Sequence, residues 1–277
     1  MFVALVICGV AAKAQSPKAA LVLKKGDVLA KTSDIKSVNK VEMMGQSVES
    51  NTGSSIQTIY TVDDAGEDYT LGITLHKLTL HMDAMGQQLD YDSDKPADSS
   101  SALGTVAKNI VGKQTHIVVN NSGTITSIDT SAEPNALAGI LANIGITGNE
   151  LAVGNTFELS GSLPVSAKLK KGYSWIDSSG NADGKRVSSF VIEAITGNTA
   201  TVAINGVLTK NGNIEQNGMQ LKTKLSGKFS GNMEVDIATN TVLKKNITIH
   251  LNGQMDMMGM SVPTTSETTV TELILKH

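Results

Sequence analysis

The sequence predicts an all-β protein built mainly of antiparallel strands, and three observations support this prediction. Apolar and polar residues alternate along several long stretches, which is typical of strands with one buried and one solvated face. Valine, isoleucine and threonine are frequent, and turn pairs such as Asn211-Gly212 punctuate the chain. Residues 41–92 recur in altered form as residues 214–265. We therefore expect an internally duplicated meander of long strands that forms a curved sheet, a sandwich or a barrel-like domain.

The composition excludes several classes of protein. The chain has 277 residues, of which 40% are hydrophobic and 18% charged, with a net charge of -3. This length and hydrophobicity allow a substantial core and argue against intrinsic disorder. Arg186 is the only arginine and acidic residues predominate, so we expect no nucleic-acid partner. No long apolar run follows the first ten residues, and we expect no transmembrane segment in the mature chain.

The first 14 residues have the pattern of a secretory signal peptide. An uninterrupted apolar run is followed by Ala12 and Ala14, which occupy the -3 and -1 positions of a cut before Gln15. No lysine or arginine precedes the apolar run, so we expect the true start to lie a few codons upstream. The mature chain, residues 15–277, is then one exported β domain in the periplasm, at the outer membrane or outside the cell.

Cys8 leaves one alternative open for this leader. A lipoprotein would be lipidated at this cysteine, but Ile7 occupies the position where a small residue is expected. Ordinary cleavage is favoured, and it removes the only cysteine. The mature chain would then contain no thiol and no disulfide.

The first repeat contains a long strand with a change of phase. Leu71, Ile73 and Leu75 fall on odd positions, whereas the apolar residues from Leu78 onward fall on even positions. Such a change within one strand predicts a β-bulge, here near His76 and Lys77.

The second repeat contains the clearest alternation. Its apolar odd positions include four residues that we expect to line one concave face: Leu221, Leu225, Phe229 and Met233. Gly227 and Gly231 share that face, which favours a strongly curved sheet.

A short helix is predicted near residues 134–144. Pro134 suits its first turn, Thr130 or Ser131 suits its N-cap, and Gly145 suits its end. Together with the Gly-, Ser- and Asn-rich residues that follow, this helix would form a connector over residues 130–171, with one or two short strands, between the two repeats.

The duplication depends on an ungapped shift of 173 positions. Both hairpin glycines of the first repeat coincide with glycines of the second, as Gly45 with Gly218 and Gly86 with Gly259. The run Met-Asp-x-Met-Gly also recurs, ending at Gly86 and at Gly259. Each meander has an apolar face that cannot be left in water, so two copies would bury their faces together.

Short motifs add a family resemblance: Leu23-Lys24-Lys25-Gly26-Asp27, Met44-Gly45-Gln46 and Leu89-Asp90-Tyr91-Asp92-Ser93, followed by a glycine-spaced C-terminal meander. With its exported N-terminus, the chain resembles an uncharacterised family of secreted β-rich proteins of Gram-negative bacteria, known as a domain of unknown function. The resemblance implies export and no established activity. The layout is also similar, at the level of architecture, to periplasmic lipoprotein carriers.

The predicted function is non-enzymatic. We expect the concave face with Leu221, Leu225, Phe229 and Met233 to hold a lipid or other apolar molecule. The alternative is a structural module with a fully packed interior, whose hairpins or sheet edges meet another envelope protein. A hydrolase that uses paired carboxylates is a third hypothesis, without sequence support beyond the abundance of acidic residues.

Metal and catalytic motifs are weak. His76 and His81 would lie about 16 Å apart along one strand, too far to share a metal ion. The sequence has no nucleophile elbow and no phosphate loop, and we expect no catalytic residue, resident metal or cofactor. The alternate aspartates between Asp90 and Asp98 leave a calcium loop open, although a solvated connector is favoured. Methionines are clustered at the turns. We expect them to fill irregular apolar space near the hairpin ends, and binding of Cu(I) by their thioethers is the less favoured alternative.

Overall fold

The computed structural model describes residues 18–277 apart from 44, 85, 96–103, 105–106, 109, 130–150, 166–168, 182–183, 217–218 and 258–259. Within the described residues twelve strands follow one another: β1 (Val28–Met43), β2 (Gln46–Ala65), β3 (Asp68–Ala84), β4 (Gln87–Asp92), β5 (Gln114–Asn120), β6 (Ile125–Ile128), β7 (Ser174–Asn181), β8 (Gly184–Thr196), β9 (Thr199–Gln216), β10 (Met219–Asp236), β11 (Thr241–Met257) and β12 (Met260–Lys276).

All twelve strands belong to one antiparallel sheet. Its order is β6-β5-β3-β2-β1-β12-β11-β10-β9-β8-β7, and β4 pairs with the far end of β3. The predicted all-β antiparallel meander is confirmed. Of the expected arrangements, the sandwich is wrong, because the two meanders lie side by side and are joined by pairing of the first and last strands.

The sheet is strongly curved. In a flat sheet β5 and β11, five strand spacings apart, would be separated by about 24 Å. Yet the adjacent residues Leu21 and Val22 donate backbone hydrogen bonds to Asn121, just after β5, and to Thr239, just before β11. Because two neighbouring amides reach both turns, the sheet must curl until these strand ends come close together. We call this end of the molecule the closed end.

Two segments fill the closed end, residues 18–27 and residues 151–165. The second segment is part of the predicted connector and forms isolated bridges to other elements in place of the expected short strands. Its Phe157, Leu159 and Leu163 are almost fully buried in the main core cluster, together with Leu21. The core therefore lies between the curved sheet and these two segments.

Asn240 ties both segments to the sheet. Its side chain accepts a hydrogen bond of 3.1 Å from the Leu163 amide and donates one of 2.8 Å to the Ala19 carbonyl. The residue is 1% exposed and has a φ of 53°, a left-handed conformation that asparagine tolerates better than most residues.

Replacing Asn240 with alanine should destabilise the protein by about 2 kcal/mol, because two buried backbone groups lose their partners and alanine disfavours this φ. Urea unfolding followed by the fluorescence of Trp175 measures the change. Asn232→Ala is the control, since Asn232 is exposed on β10. Equal unfolding midpoints for the two variants would show that the Asn240 side chain does not stabilise the attachment of these two segments to the sheet.

A second core cluster lies beside the main one. It joins residues of β1 to β4 to Ala107 and Ile110. Gly104 and Ala107 are helical, and the Lys108 and Val111 amides bond to the Gly104 and Ala107 carbonyls. The sequence did not predict this helical turn. The short helix expected near 134–144 lies outside the described residues and is not confirmed.

The strand pairing bears on two of the expectations, the β-bulge near His76 and the internal duplication. The bulge is confirmed, since the partner of β2 shifts from Lys77 to Leu75 and leaves His76 unpaired in the ladder. When residue numbers are shifted by 173, the bounds of β3 coincide with those of β11. The register of the β1–β2 pair then coincides with that of β9–β10. The register of the β3–β4 pair coincides with that of β11–β12. The β2–β3 register differs by one or two residues from that of β10–β11. The duplication itself stays a prediction.

Residues 1–17 are not among the described residues, so the signal peptide also stays a prediction. Along the described part of the chain, no helix has the length and apolar character needed to cross a membrane.

Candidate functional site

The candidate site is the inward face of the sheet, which changes character along its length. Near the closed end the inward side chains are packed under residues 18–27 and 151–165. Toward the opposite end, where the hairpin tips lie, half-buried apolar side chains share the inward face with polar ones such as Asn39, Thr52 and Thr264. We call this region the open face, and its members are Val41, Val48, Met82, Leu225, Leu251, Met255 and Val262.

The four predicted ligand-binding residues divide between these regions. Phe229 and Met233 are 3% and 4% exposed and belong to the main core cluster. Leu225 is half-buried and lies on the open face. Leu221 pairs with Ile214 and Met257 in inward register, but its side chain lies outside the description. Leu225 is thus partly accessible to solvent, whereas Met233 is packed in the core.

Two shallow grooves were found along the described surface, and neither is an enclosed cavity. One, of about 310 Å³, lies at the hairpin between β7 and β8 and is lined by Ser178, Ser179, Gly180, Gly184 and Lys185. The other, of about 390 Å³, is lined by Val38, Lys40, His250, Leu251, Thr265, Ser266 and Glu267. Leu225, Phe229 and Met233 line neither groove, whereas Leu251 of the open face lines the second.

A buried ionic network crosses the inward face at the centre of the sheet. Lys31 on β1 contacts Glu158 of the connector and lies 3.7 Å from Glu272 on β12. Lys245 on β11 lies 2.9 Å from the same Glu272 carboxylate. The Tyr60 hydroxyl donates a hydrogen bond to Glu158. Two ammonium groups thus face two carboxylates, and the network holds the connector against the sheet.

The electrostatics of this network follow from burial and charge. Burial raises the pKa of Glu272, but the charges of Lys245 and Lys31 outweigh burial and bring that pKa to about 2. Burial and the charge of Glu158 raise the pKa of Tyr60 well above its usual range. At neutral pH, Glu272 is therefore ionised and Tyr60 is protonated.

The ionic network was not predicted from the sequence, although the sequence contains a signal for it. Lys31 and Glu272 occupy inward positions of alternating strands, where neighbours such as Leu29 and Ile274 are apolar. A charge in the buried phase of a strand points to a partner across the sheet. The partner Glu158 could not be identified from sequence, since it lies in an irregular segment.

A second pair of charged residues, Arg186 on β8 and Lys210 on β9, also lies on the inward face. Arg186 pairs with Leu208 and Lys210 pairs with Gly184, so the two cations are diagonal neighbours. Their Cα atoms are then separated by roughly 7–8 Å. The Arg186 guanidinium lies 4.6 Å from the ring centre of Phe229. Sequence reasoning noted Arg186 only for its rarity and did not consider Lys210.

Aromatic residues cluster at the same edge of the sheet. Trp175 stacks on Phe190 with ring centres 5.1 Å apart, and Tyr173 stacks on Trp175 at 6.2 Å. Trp175 is 8% exposed and belongs to the main core cluster. As the only tryptophan, it reports on this part of the inward face.

The aspartates of the candidate calcium loop are engaged with side chains of β3. Asp90 lies 2.6 Å from His81, and Lys77 pairs with Asp92 and Asp94. Asp98 lies outside the described residues. In the portion of the chain that is described, no three His, Cys, Asp or Glu side chains are grouped closely enough to hold a metal ion.

Comparison with known proteins yields a likeness in fold. No curated protein matches the chain. Lipovitellin, in a structure of its lipid–protein interactions, aligns with a TM-score of 0.50 at 10% identity over 92% of this chain and 25% of lipovitellin. The chain thus spans about a quarter of lipovitellin. The COG4313 outer membrane channel from Pseudomonas putida F1 aligns at 6% identity over 92% of this chain and 98% of the channel, with a TM-score of only 0.25.

A family match covers more than half of the chain. Residues 66–242, from the turn before β3 to the start of β11, match the family described as "Family of unknown function (DUF6263)". This match confirms the expected resemblance to an uncharacterised family. The chain belongs to the DUF6263 family of unknown function.

Proposed function

We propose that this protein is an exported, non-enzymatic component of the cell envelope that holds a lipid or other apolar molecule on its open face. The observation that carries the proposal is the half-exposure of the open face. These apolar side chains continue the buried face of the sheet, yet Leu225, Leu251 and Met255 keep part of their surface in water. An apolar ligand laid along them would remove that surface from water.

The fold supports the same proposal. Lipovitellin shares the fold at the level of a TM-score of 0.50, and its structure concerns lipid–protein interactions. A long curved sheet provides one extended apolar face without requiring an enclosed cavity, which suits a chain-shaped ligand. The chain corresponds to a quarter of lipovitellin, so the shared element would be the sheet alone.

The charged groups of the interior suit a structural role better than a catalytic one. The network around Lys31 is electrically balanced, and its Glu158 belongs to the connector that covers the closed end. A catalytic carboxylate would need access to substrate and a pKa matched to its task. The low pKa of Glu272 and its burial fit an ion pair instead.

The alternative function is a protein–protein interaction module. The packed closed end favours this alternative, because Phe157 and Leu163 already fill the space that a ligand would need there. The edge strand β7 would then be the contact, since a partner strand can pair with the edge of a sheet. Ile176 on this strand is 59% exposed.

Native mass spectrometry of the protein purified from an exporting host should separate these functions. We expect an added mass that disappears after extraction with organic solvent. A Leu225→Gln/Met255→Gln double variant should lower the occupancy about tenfold or more, since it makes the open face polar. A double variant of the outward face of β12, Leu273→Gln/Leu275→Gln, is the matched control and should keep the added mass.

Folding of each variant is checked by circular dichroism and by its urea midpoint. A bare mass for the wild-type protein would contradict the carrier function and favour the interaction module. Equal loss of the added mass in both double variants would place the ligand elsewhere and would also contradict the proposal.

A further inference from the structure

The cations Arg186 and Lys210 differ from the other inward-facing charges. Lys31 and Lys245 both contact carboxylates. Among the described residues, by contrast, no carboxylate lies within 4.0 Å of Lys210 Nζ or of the Arg186 guanidinium. Within the described part of the sheet, these two positive charges on the inward face therefore have no carboxylate partner of the kind that Lys31 and Lys245 have.

Both cations are partly withdrawn from water. Arg186 and Lys210 are half-buried, and burial lowers the pKa of Lys210. Withdrawing an ammonium group from water without a counter-charge costs free energy. A leucine at position 210 would fit the alternation of β9, where Ile204 and Leu208 precede it in the same phase. The fold therefore tolerates a cost at Lys210 that an anionic partner would offset.

The guanidinium of Arg186 is held in place while part of it stays free to bind. Its Nε donates a hydrogen bond of 3.2 Å to Ser188, and its plane is packed over Phe229. No acceptor for its Nη groups is found among the described residues. An arginine oriented in this way presents paired donors that match the oxygens of a carboxylate or phosphate.

Apolar surface adjoins the two cations on the side of the open face. Leu225 pairs with both Lys210 on β9 and Gly253 on β11, and Leu251 and Met255 flank Gly253 on the same face. A chain starting beside Lys210 would cross β10 and β11 along these side chains. Charge and apolar surface are thus arranged as in the two parts of an amphiphile.

We propose that Lys210 and Arg186 bind the anionic head group, a carboxylate or phosphate, of an amphiphile whose acyl chain lies on the open face. This inference rests on the proposed function and specifies its ligand class. The occupant is a lipid-like anion, and a free phosphate ion would satisfy only the charged half of the site.

The test measures binding of four probes: laurate, dodecyl phosphate, dodecanol and inorganic phosphate. The three dodecyl compounds are used at concentrations at which they remain monomeric in solution. Isothermal titration and quenching of Trp175 are the readouts, on delipidated protein from an exporting host. We expect the affinities for laurate and dodecyl phosphate to be at least about tenfold higher than the affinity for dodecanol, and we expect inorganic phosphate to bind weakly. Lys210→Met should remove this preference and leave dodecanol binding unchanged.

Two comparisons keep the result specific to the site. Lys224→Met, on the exposed outward face of β10, should leave the binding of all four probes unchanged. Lys210→Arg should retain the preference for the anionic probes. Lys210→Met should not lower the urea midpoint, because Lys210 is half-buried and has no carboxylate partner among the described residues, and removal of such a charge is neutral or stabilising.

The remaining outcomes separate this inference from the proposed function. Equal binding of laurate and dodecanol, unchanged in Lys210→Met, would overturn the anion site and leave the apolar carrier intact. Tight binding of inorganic phosphate with no gain from a dodecyl chain would overturn the amphiphile and the carrier together. Absence of binding by all four probes would also overturn both.

Discussion

A Gly231→Val variant is expected to lose about 4 kcal/mol or more of stability and to accumulate unfolded. Gly231 lies on the inward face of β10 opposite Ile247 on β11. A Cβ atom at this position would lie 1.9 Å from the backbone oxygen of Asn246 and 2.9 Å from the Cα of Ile247. Because both atoms belong to the backbone of the neighbouring strand, the clash can be relieved only by separating the strands.

Gly53 provides the matched control for this effect. It also lies within a long strand, β2, but an added Cβ would meet nothing within 4 Å. Gly53→Val should therefore leave the urea midpoint unchanged or raise it slightly, since valine favours strands. A Gly231→Val protein as stable as the Gly53→Val protein would show that the close approach of β10 and β11 is not required by the fold.

A Lys31→Met variant should lose about 3–5 kcal/mol of stability at pH 7, the range found when one partner of a buried ion pair is removed. Methionine keeps the apolar stem of the side chain but leaves Glu158 and Glu272 facing a single ammonium, that of Lys245. Urea unfolding at pH 7 measures the loss. A change below about 1 kcal/mol would contradict the structural role of the network.

Lys40→Met is the control on the same strand. Lys40 pairs with Glu49 at 3.1 Å, but both side chains are about half exposed, so the urea midpoint should hardly change.

The same network predicts how stability depends on pH. The pKa of Glu272 is lowered from 4.5 to about 2 in the folded protein, so its contribution is complete above pH 4.5. That contribution is lost as the pH falls from 4.5 toward 2. In Lys31→Met the pKa of Glu272 is lowered less, and the difference in stability from the wild-type protein should narrow across this window.

Parts of the fold and of the site could be predicted from local pattern. The bulge at His76 followed from a change of phase, and the inward position of Phe229 followed from alternation. Whether an inward side chain is packed or accessible was not predictable, because alternation is the same at Leu225 and at Met233. The difference arises from residues 18–27 and 151–165, which cover only the closed end.

By itself the sequence determined the strand class, the bulge and the inward face, because alternation, turn chemistry and side-chain size act between residues close in the chain. Only the tertiary structure decided that β1 pairs with β12 and that Lys31 meets Glu158, 127 residues away. It also decided that Lys210 lies beside Arg186. These contacts depend on strand order, register and curvature, and a period-two pattern is compatible with many arrangements of all three.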